Sequence, residues 1–389
     1  MIDSDIAVVM GTRPEMIKLA HIIRQLGERA RVIHTGQHFD DELSEKVRLG
    51  LRLPEADVVL TGVGGETRAT QVASCLSALT QEFTRSRPKA VIVQGDTNTV
   101  AAGAMAANFA GIPLLHVEAG LRSYDRGMPE EINRLLTGVL ADVHCAATDQ
   151  NRRNLILEGI DNSRIVVTGN PIVEATLDSL SLLAAAPPLS IPEEPFVLAT
   201  IHRPENTDSK AALERVLSAL ATLPLPVLFV AHPRTKNAMR RYGLEHYAKS
   251  LWMIDSIQHH EFLGYAQASA LLISDSGGLQ EECTVLKVPL LVVRRSTERP
   301  ESSEVGFSVL VGPGEDITAT ARGLLATPNT LQNVSSPYGD GTASTRIAAL
   351  AKLIADGYSP AAAIAQMTST FPLFGASQQA TEPDTWEWA

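Results

Sequence analysis

The 389-residue chain carries 33 Lys and Arg against 44 Asp and Glu, a formal charge of −11, and is 44% hydrophobic. That length exceeds one ordinary domain and supplies apolar material for two cores. The acidic balance excludes nucleic acid and anionic lipid as expected partners, since neither polyanion attracts an acidic surface. Any anionic ligand must then meet a local basic pocket. Cys75, Cys145 and Cys283 lie far apart in apolar patterns without CxxC or metal-ligand spacing, and are read as core thiols in a reducing cytoplasm. Acidic residues ahead of the first strand offer no basic region of a signal peptide. Apolar runs such as Ala101 to Ala110 fall short of the roughly 20 residues that span a bilayer. A cytoplasmic protein with no membrane partner is expected.

In chain order, IAVVM (Ile6 to Met10) is a strand followed by a helix around Ile17 to Leu26. RVIHT precedes a helix over Glu42 to Leu49, AVIVQ one over Thr99 to Ala110, PLLHV one over Glu130 to Leu140, and VHCAA one over Arg152 to Glu158, before RIVVT. This alternation predicts a mostly parallel, doubly wound sheet over residues 1–170. AAAPPLSIPEEP (Ala184 to Pro195) is a connection without period. The alternation restarts with FVLAT, PVLFVA, LWMID, LLISD, PLLVV and SVLVG, a second doubly wound domain over residues 171–342. TRIAALAKLI predicts a helix within 343–357 that returns to the first domain. Residues 358–389, rich in Ala, Ser, Thr and Gln, are expected to be a loosely ordered tail with Trp386 and Trp388 near its end.

In open α/β sheets ligands bind beyond the carboxyl ends of the strands, where the polar signatures concentrate. LLISDSGGLQEE is a strand, then Ser276-Gly277-Gly278, then a helix. Glycines there either let backbone N–H groups and a helix N-terminus approach a diphosphate or simply make a tight strand-to-helix turn. Glu282, near the first turn, is read either as an acceptor for ribose hydroxyls or simply as favourable helix-dipole placement. GTRPEMIK brings Arg13 and Lys18 to the start of the first helix, and both face the cleft only if Arg13 lies on the preceding loop. Asp96, Glu118 and Glu130 follow strands of the first half, and His202 follows FVLATI in the second. Each alone is an ordinary cap; four that converge are an acid/base set. Asp125 and Asp275 are read as caps or loop residues. The histidines lack HxxxH or HExxH spacing, and no GxGxxG follows the first strand. No metal and no redox cofactor are therefore expected.

Taken together, GTRPEMIKLA, TGQH, GDTNTV, HVEAGLRS, MPEEINR, HRPENTD, SDSGGLQEE, STERPE and PYGDG resemble the non-hydrolysing UDP-N-acetylglucosamine 2-epimerases, in order, from about Ile6 to Ile354. The resemblance implies a glycosyltransferase-B (GT-B) type fold, usually homodimeric, with a UDP-sugar between the domains. It implies catalytic roles for Asp96, Glu118, Glu130 and His202. Binding roles fall on Arg13, Lys18, Ser276, Gly277, Gly278, Glu282 and Arg299, with Phe262 beside the uracil. The implied reaction breaks the bond from sugar carbon 1 to the diphosphate as carbon 2 loses its proton, leaving a 2-acetamidoglucal and UDP. Re-addition with protonation on the opposite face inverts carbon 2; which carboxylate takes the proton is left open.

Departures concern the sugar and regulation. Arg295 stands where much of the bacterial family has an acid, and is expected near the nucleotide or sugar. The loop before Glu130 is short, like that of archaeal members and of enzymes acting on UDP-2,3-diacetamido-glucuronate. Asp40 occupies the place of a glutamine in the activating site of bacterial members, while Gln37, His38, Arg68 and His232 remain as candidate regulatory residues. Alternatives to UDP-N-acetylglucosamine epimerisation are the same inversion on the diacetamido-uronate, a hydrolysing 2-epimerase and, from another class, a GT-B glycosyltransferase.

Overall fold

The computed structural model describes residues 5–37, 48–185, 189–327 and 330–373. The first half runs β1 (Ile6–Met10), α1 (Arg13–Leu26), β2 (Ala30–His34), β3 (Val58–Val59), α2 (Arg68–Arg85), β4 (Ala90–Gln94), α3 (Asn98–Phe109), β5 (Leu114–Ala119), α4 (Pro129–Leu140), β6 (Val143–Ala146), α5 (Asp149–Leu157) and β7 (Ile165–Val167). Helix α6 (Ile172–Ala185) leads into the second half: β8 (Val197–Thr200), α7 (Pro204–Thr207), α8 (Lys210–Ala221), β9 (Val227–Ala231), α9 (Pro233–Tyr242), β10 (Trp252–Asp255), α10 (His259–Ala268), β11 (Leu271–Ser274), α11 (Gly277–Leu286), β12 (Leu290–Val293), α12 (Glu301–Glu304), β13 (Ser308–Val311) and α13 (Ile317–Ala326). The chain ends in α14 (Ala343–Ala355) and α15 (Pro360–Thr370).

Both sheets are parallel, ordered β3-β2-β1-β4-β5-β6-β7 and β10-β9-β8-β11-β12-β13. Strand direction of winding reverses between β1 and β4 in one and between β8 and β11 in the other, the switch points where a doubly wound sheet opens a crevice. The result is two Rossmann-like α/β domains, consistent with a GT-B type of fold. Side-chain alternation assigns the layers. Ile6, Val8 and Met10 pack with α1 and α14, whereas Ala7 and Val9 pack with α2 and α3 on the opposite face. In the second sheet Val197 and Ala199 meet α8, α9 and α13, and Leu198 meets α10 and α11.

Two differences from the sequence reading have physical causes. Helix α2 was not expected, because its polar surface masks the buried row Cys75, Leu79 and Phe83, spaced by four along one helical face. Part of the helix expected over Glu42 to Leu49, with His38 and Asp40, lies outside the described residues. Residues 360–370, expected to belong to a loose tail, instead form α15, because Ala363 and Met367 bury against the α14 layer. Trp386 and Trp388 lie outside the described residues.

His116 on β5 and His144 on β6 are register partners and are buried. Burial pushes their imidazoles down to about 4 and about 3 respectively, against about 6.5 in an unfolded chain. Between these values the unfolded chain binds more protons, so their stabilising contribution is present above pH 6.5 and is lost as pH falls through about 4. Replacing His144 by Leu should make the decline in stability between pH 7 and pH 5 shallower in urea titrations. Equal slopes for wild type and variant would show that the site does not titrate this way.

Candidate active site

A cavity of about 560 Å3 lies where the two halves meet, a volume suited to a small organic ligand. Its walls are the turns after β1, β4 and β5 from the first domain and after β8, β9 and β11 from the second. All twelve residues singled out for catalysis or substrate binding line it: Arg13, Lys18, Asp96, Glu118, Glu130, His202, Phe262, Ser276, Gly277, Gly278, Glu282 and Arg299. Arg13 is the first residue of α1 rather than a loop residue. Both it and Lys18 still reach the cavity, because the end of α1, with Thr12 and Pro14, abuts it.

The centre is a buried lattice of ion pairs spanning both domains. Lys18 Nζ donates to Glu118 Oε2 at 2.5 Å and to Glu281 Oε2 at 2.9 Å. Arg299 donates through Nε to Glu281 Oε1 at 2.7 Å and through Nη2 to Glu118 Oε1 at 3.0 Å. Gln94 Nε2 adds a bond to Glu118 Oε2 at 2.6 Å, and Asn170 Nδ2 one to Glu281 Oε1 at 3.0 Å. Burial opposes charge on Lys18, but Glu118 and Glu281 outweigh it and raise the ammonium above its ordinary value. Burial likewise opposes charge on Arg299, and Glu281, Glu298 and Glu118 hold it well above. Glu118 sits where the register between β5 and β6 shifts, with φ of 65°. A left-handed glutamate is strained, and its three donors hold it there.

The other acid/base candidates are held differently. Asp96 Oδ2 receives Nε and Nη2 of Arg134 at 3.0 and 2.6 Å, and Arg134 Nη1 reaches Glu131 at 3.0 Å. The Glu130 side chain, in the first turn of α4, makes no hydrogen bond or ion pair among the described residues. His202 Nδ1 lies 3.3 Å from Asp275 Oδ1, and its ring centroid is 5.4 Å from that of His232. Burial pushes both imidazoles below the ordinary value, more than Asp275 offsets. Asp275 is more than a cap: fully buried, it accepts the backbone N–H of His202 and Arg203 and the Asn206 amide, so it sets the position of the histidine turn.

At the opposite wall α11 begins at Gly277, whose first-turn N–H groups lack intrahelical acceptors. A Cβ on Gly277 would lie 3.0 Å from Arg299 Nη1, whereas one on Gly278 would meet open space. Gly277 thus admits the arginine and Gly278 leaves the backbone open toward the cavity. His259 Nε2 is 2.6 Å from Glu282 Oε1. Arg13, without a pairing partner among the described residues, faces the same ligand space; burial lowers its guanidinium against the field of Glu282.

Sequence reasoning missed Glu281, Glu298, Arg134, Asp275 and His259. The doublet in LQEE and the glutamate of STERPE were visible, but only packing shows which glutamate turns inward. The candidate regulatory residues differ in position, and His38 lies outside the described residues. His232 lines it, whereas Gln37 accepts from Thr99 N at 2.9 Å and Arg68 donates to Pro129 O at 3.0 Å and Asn133 Oδ1 at 2.9 Å. Arg295 is not a lining residue of this cavity, so the charge departure lies away from the expected sugar position.

The match to known proteins decides the lineage. The family model described as UDP-N-acetylglucosamine 2-epimerase covers residues 22–352. The chain belongs to the UDP-N-acetylglucosamine 2-epimerase family. It is 36% identical to the UDP-N-acetylglucosamine 2-epimerase of Methanocaldococcus jannaschii over 88% of this chain and 97% of that protein. The crystal structure of that organism's enzyme in complex with UDP-GlcNAc and UDP superposes with a TM-score of 0.80, covering 88% of this chain and 98% of the other. The UDP-2,3-diacetamido-2,3-dideoxy-D-glucuronate 2-epimerase of Pseudomonas aeruginosa is also 36% identical, over 90% of this chain and 99% of that one.

Removing Glu281 leaves Lys18 with Glu118 alone and deprives Arg299 of one partner. Glu281→Ala should cost about 3–5 kcal/mol of unfolding free energy, as for other broken buried pairs. A loss below about 1 kcal/mol in chemical denaturation would mean that the lattice is not ionised.

Proposed function

We propose that this chain inverts carbon 2 of a UDP-2-acetamido sugar, interconverting UDP-N-acetylglucosamine and UDP-N-acetylmannosamine. One observation carries the reading: a single cavity joins an open helix N-terminus at Gly277-Gly278 to Arg13 and Lys18, to the carboxylates of Asp96, Glu118 and Glu130, and to His202. Carbon 2 has no adjacent carbonyl to acidify its proton, so direct deprotonation is prohibitively slow. Elimination avoids this. The bond from carbon 1 to the diphosphate oxygen breaks with its electron pair leaving on UDP, the carbon 2 proton passes to a base, and a double bond forms between carbons 1 and 2. UDP then returns to carbon 1 while carbon 2 takes a proton from the other face.

The growing charge on the diphosphate calls for the α11 N-terminus and the cations Arg13, Lys18 and Arg299. Phe262 takes the uracil side and Glu282, oriented by His259, the ribose. Glu130, unpaired, suits proton transfer; Glu118 acts only if a donor leaves it; Asp96 is held in place by Arg134; and His202 faces them from the other domain. Burial disfavours the protonated form of His202, which keeps it available as a base near neutral pH. No step requires a metal or redox cofactor. Placement in the cytoplasm belongs to the same reading, with Cys75, Cys145 and Cys283 as buried free thiols; no helix among the described residues is long and apolar enough to cross a membrane.

The Pseudomonas aeruginosa relative favours a second substrate, the UDP-2,3-diacetamido-uronate, for whose carboxylate Arg203 is a lining cation. Incubation of the enzyme in deuterated water with each sugar nucleotide, followed by NMR at carbon 2, should show deuterium uptake and the manno product. Neither sugar exchanging would overturn the proposal, release of free N-acetylmannosamine would indicate hydrolysis, and relative turnover identifies the substrate. Glu118→Gln should lower turnover by at least about a hundredfold while UDP binding survives; unimpaired turnover would remove Glu118 from the mechanism.

Homodimer formation is also proposed. Helices α3 and α4 pack side by side, and Phe109 and Val139 on them remain 69% and 74% exposed. Apolar side chains so placed suit an interface with a second copy. Val139→Glu should convert a dimer to a monomer in light scattering; an unchanged mass would place the interface elsewhere.

A further inference from the structure

A second cavity, of about 310 Å3, opens beyond the carboxyl ends of β12 and β13 and is not used in the reaction above. It is lined by Glu205, Asn206, Ser209, Arg215, Arg294 and Arg295 among others. The Arg294 side chain is only 2% exposed, and its Nε and Nη1 have no hydrogen-bond acceptor among the described residues. Nη1 lies 3.0 Å from Glu298 Oε2 and Nε 3.8 Å from Glu205 Oε1, close enough to feel those charges but not aligned as hydrogen bonds. Glu298 is moreover shared with Arg299 and Arg134. A buried guanidinium with idle donors is costly unless something accepts from them.

The rest of the wall points to the same kind of acceptor. Arg215 is fixed by bonds from Nη1 to Gly312 O at 2.9 Å and Glu315 O at 3.3 Å, and Arg295 is exposed at the rim with its backbone N–H on Glu205. Ser209 caps α8, whose first-turn residues Ala211 and Ala212 also line the cavity. Three guanidiniums and a helix N-terminus thus surround one carboxylate, in a chain whose formal charge is −11. Guanidinium forks and first-turn N–H groups match the geometry of phosphate oxygens.

We propose that this cavity binds a phosphate group, carried by a small phosphorylated metabolite or as free phosphate, and that Arg294 relays its occupancy through Glu298 to Arg299 and Arg134 in the main cavity. The phosphate satisfies the idle donors of Arg294 and draws that guanidinium from Glu298, whose charge then falls more fully on Arg299 and Arg134.

Calorimetric titration of the purified full chain with inorganic phosphate tests the site without relying on the proposed reaction. Wild type should show saturable binding. Arg215→Gln/Arg295→Gln, with an unchanged melting temperature, should weaken it at least about tenfold, while Arg13→Gln, in the main cavity, should retain it. Absence of saturable binding in wild type, a wild-type isotherm in the double variant, or loss in Arg13→Gln alone would overturn the assignment. Displacement of phosphate by a hexose monophosphate at lower concentration identifies the larger ligand, and displacement only at equal or higher concentration identifies free phosphate. The relay is read separately: saturating phosphate should change kcat in wild type and leave the double variant unaffected, and an equal response in both would remove Arg294 from any such coupling.

Discussion

Lys18 and Glu118 come from one domain, Glu281 and Arg299 from the other, and all are buried together where the domains touch. Withdrawing such groups from water costs several kcal/mol per ion, recovered only when every charge has close partners of opposite sign. Lys18 keeps Glu118 and Arg299 keeps Glu281 within its own half, but the crossing pairs Lys18–Glu281 and Arg299–Glu118 form only while the halves are joined. The relative position of the two domains and the charge state of the site are therefore one constraint. Glu118 depends on it most, since its left-handed backbone persists through donors from both domains.

Around this lattice the architecture repeats one device. Each sheet reverses its winding at a switch point, and each switch point contributes two turns: those after β1 and β4 in the first domain, and those after β8 and β11 in the second. Parallel strands direct their carboxyl ends, and the helix N-termini that follow, toward the same crevice. Opposing two such crevices brings a helix N-terminus, cations, carboxylates and histidines together from short turns.

The carboxylates of the cavity occupy distinct environments for this reason. Burial pushes the Glu298 carboxyl up, but Arg299, Arg294 and Arg134 outweigh it and hold it well below the ordinary range. Glu15, which accepts from Gly11, Thr12 and Thr97 and so ties the first two turns together, is pushed up to about 7 by burial. Glu130 is half-buried and also lines the cavity. The cavity thus combines charges fixed by their neighbours with one carboxylate, that of Glu130, left without a side-chain partner among the described residues.

Local pattern was enough for the strands, since buried parallel strands such as AVIVQ and LLISD are unbroken apolar runs bounded by turn residues. It was also enough for the turns that follow them, because glycine and capping chemistry are written in adjacent residues, and for the expectation that Asp96, Glu118, Glu130 and His202 share a crevice. It did not reveal α2, whose apolar row is thin, or α15, whose order comes from docking on α14. Nor did it distinguish Glu281 from Glu282. Neighbours in sequence, they point to opposite duties, one buried between Lys18 and Arg299 and the other on the cavity wall beside His259. Asp275, the Arg134 clamp and the second cavity arise from residues separated by tens of positions. Helical direction and domain packing decide which charges meet, and those are properties of the folded chain.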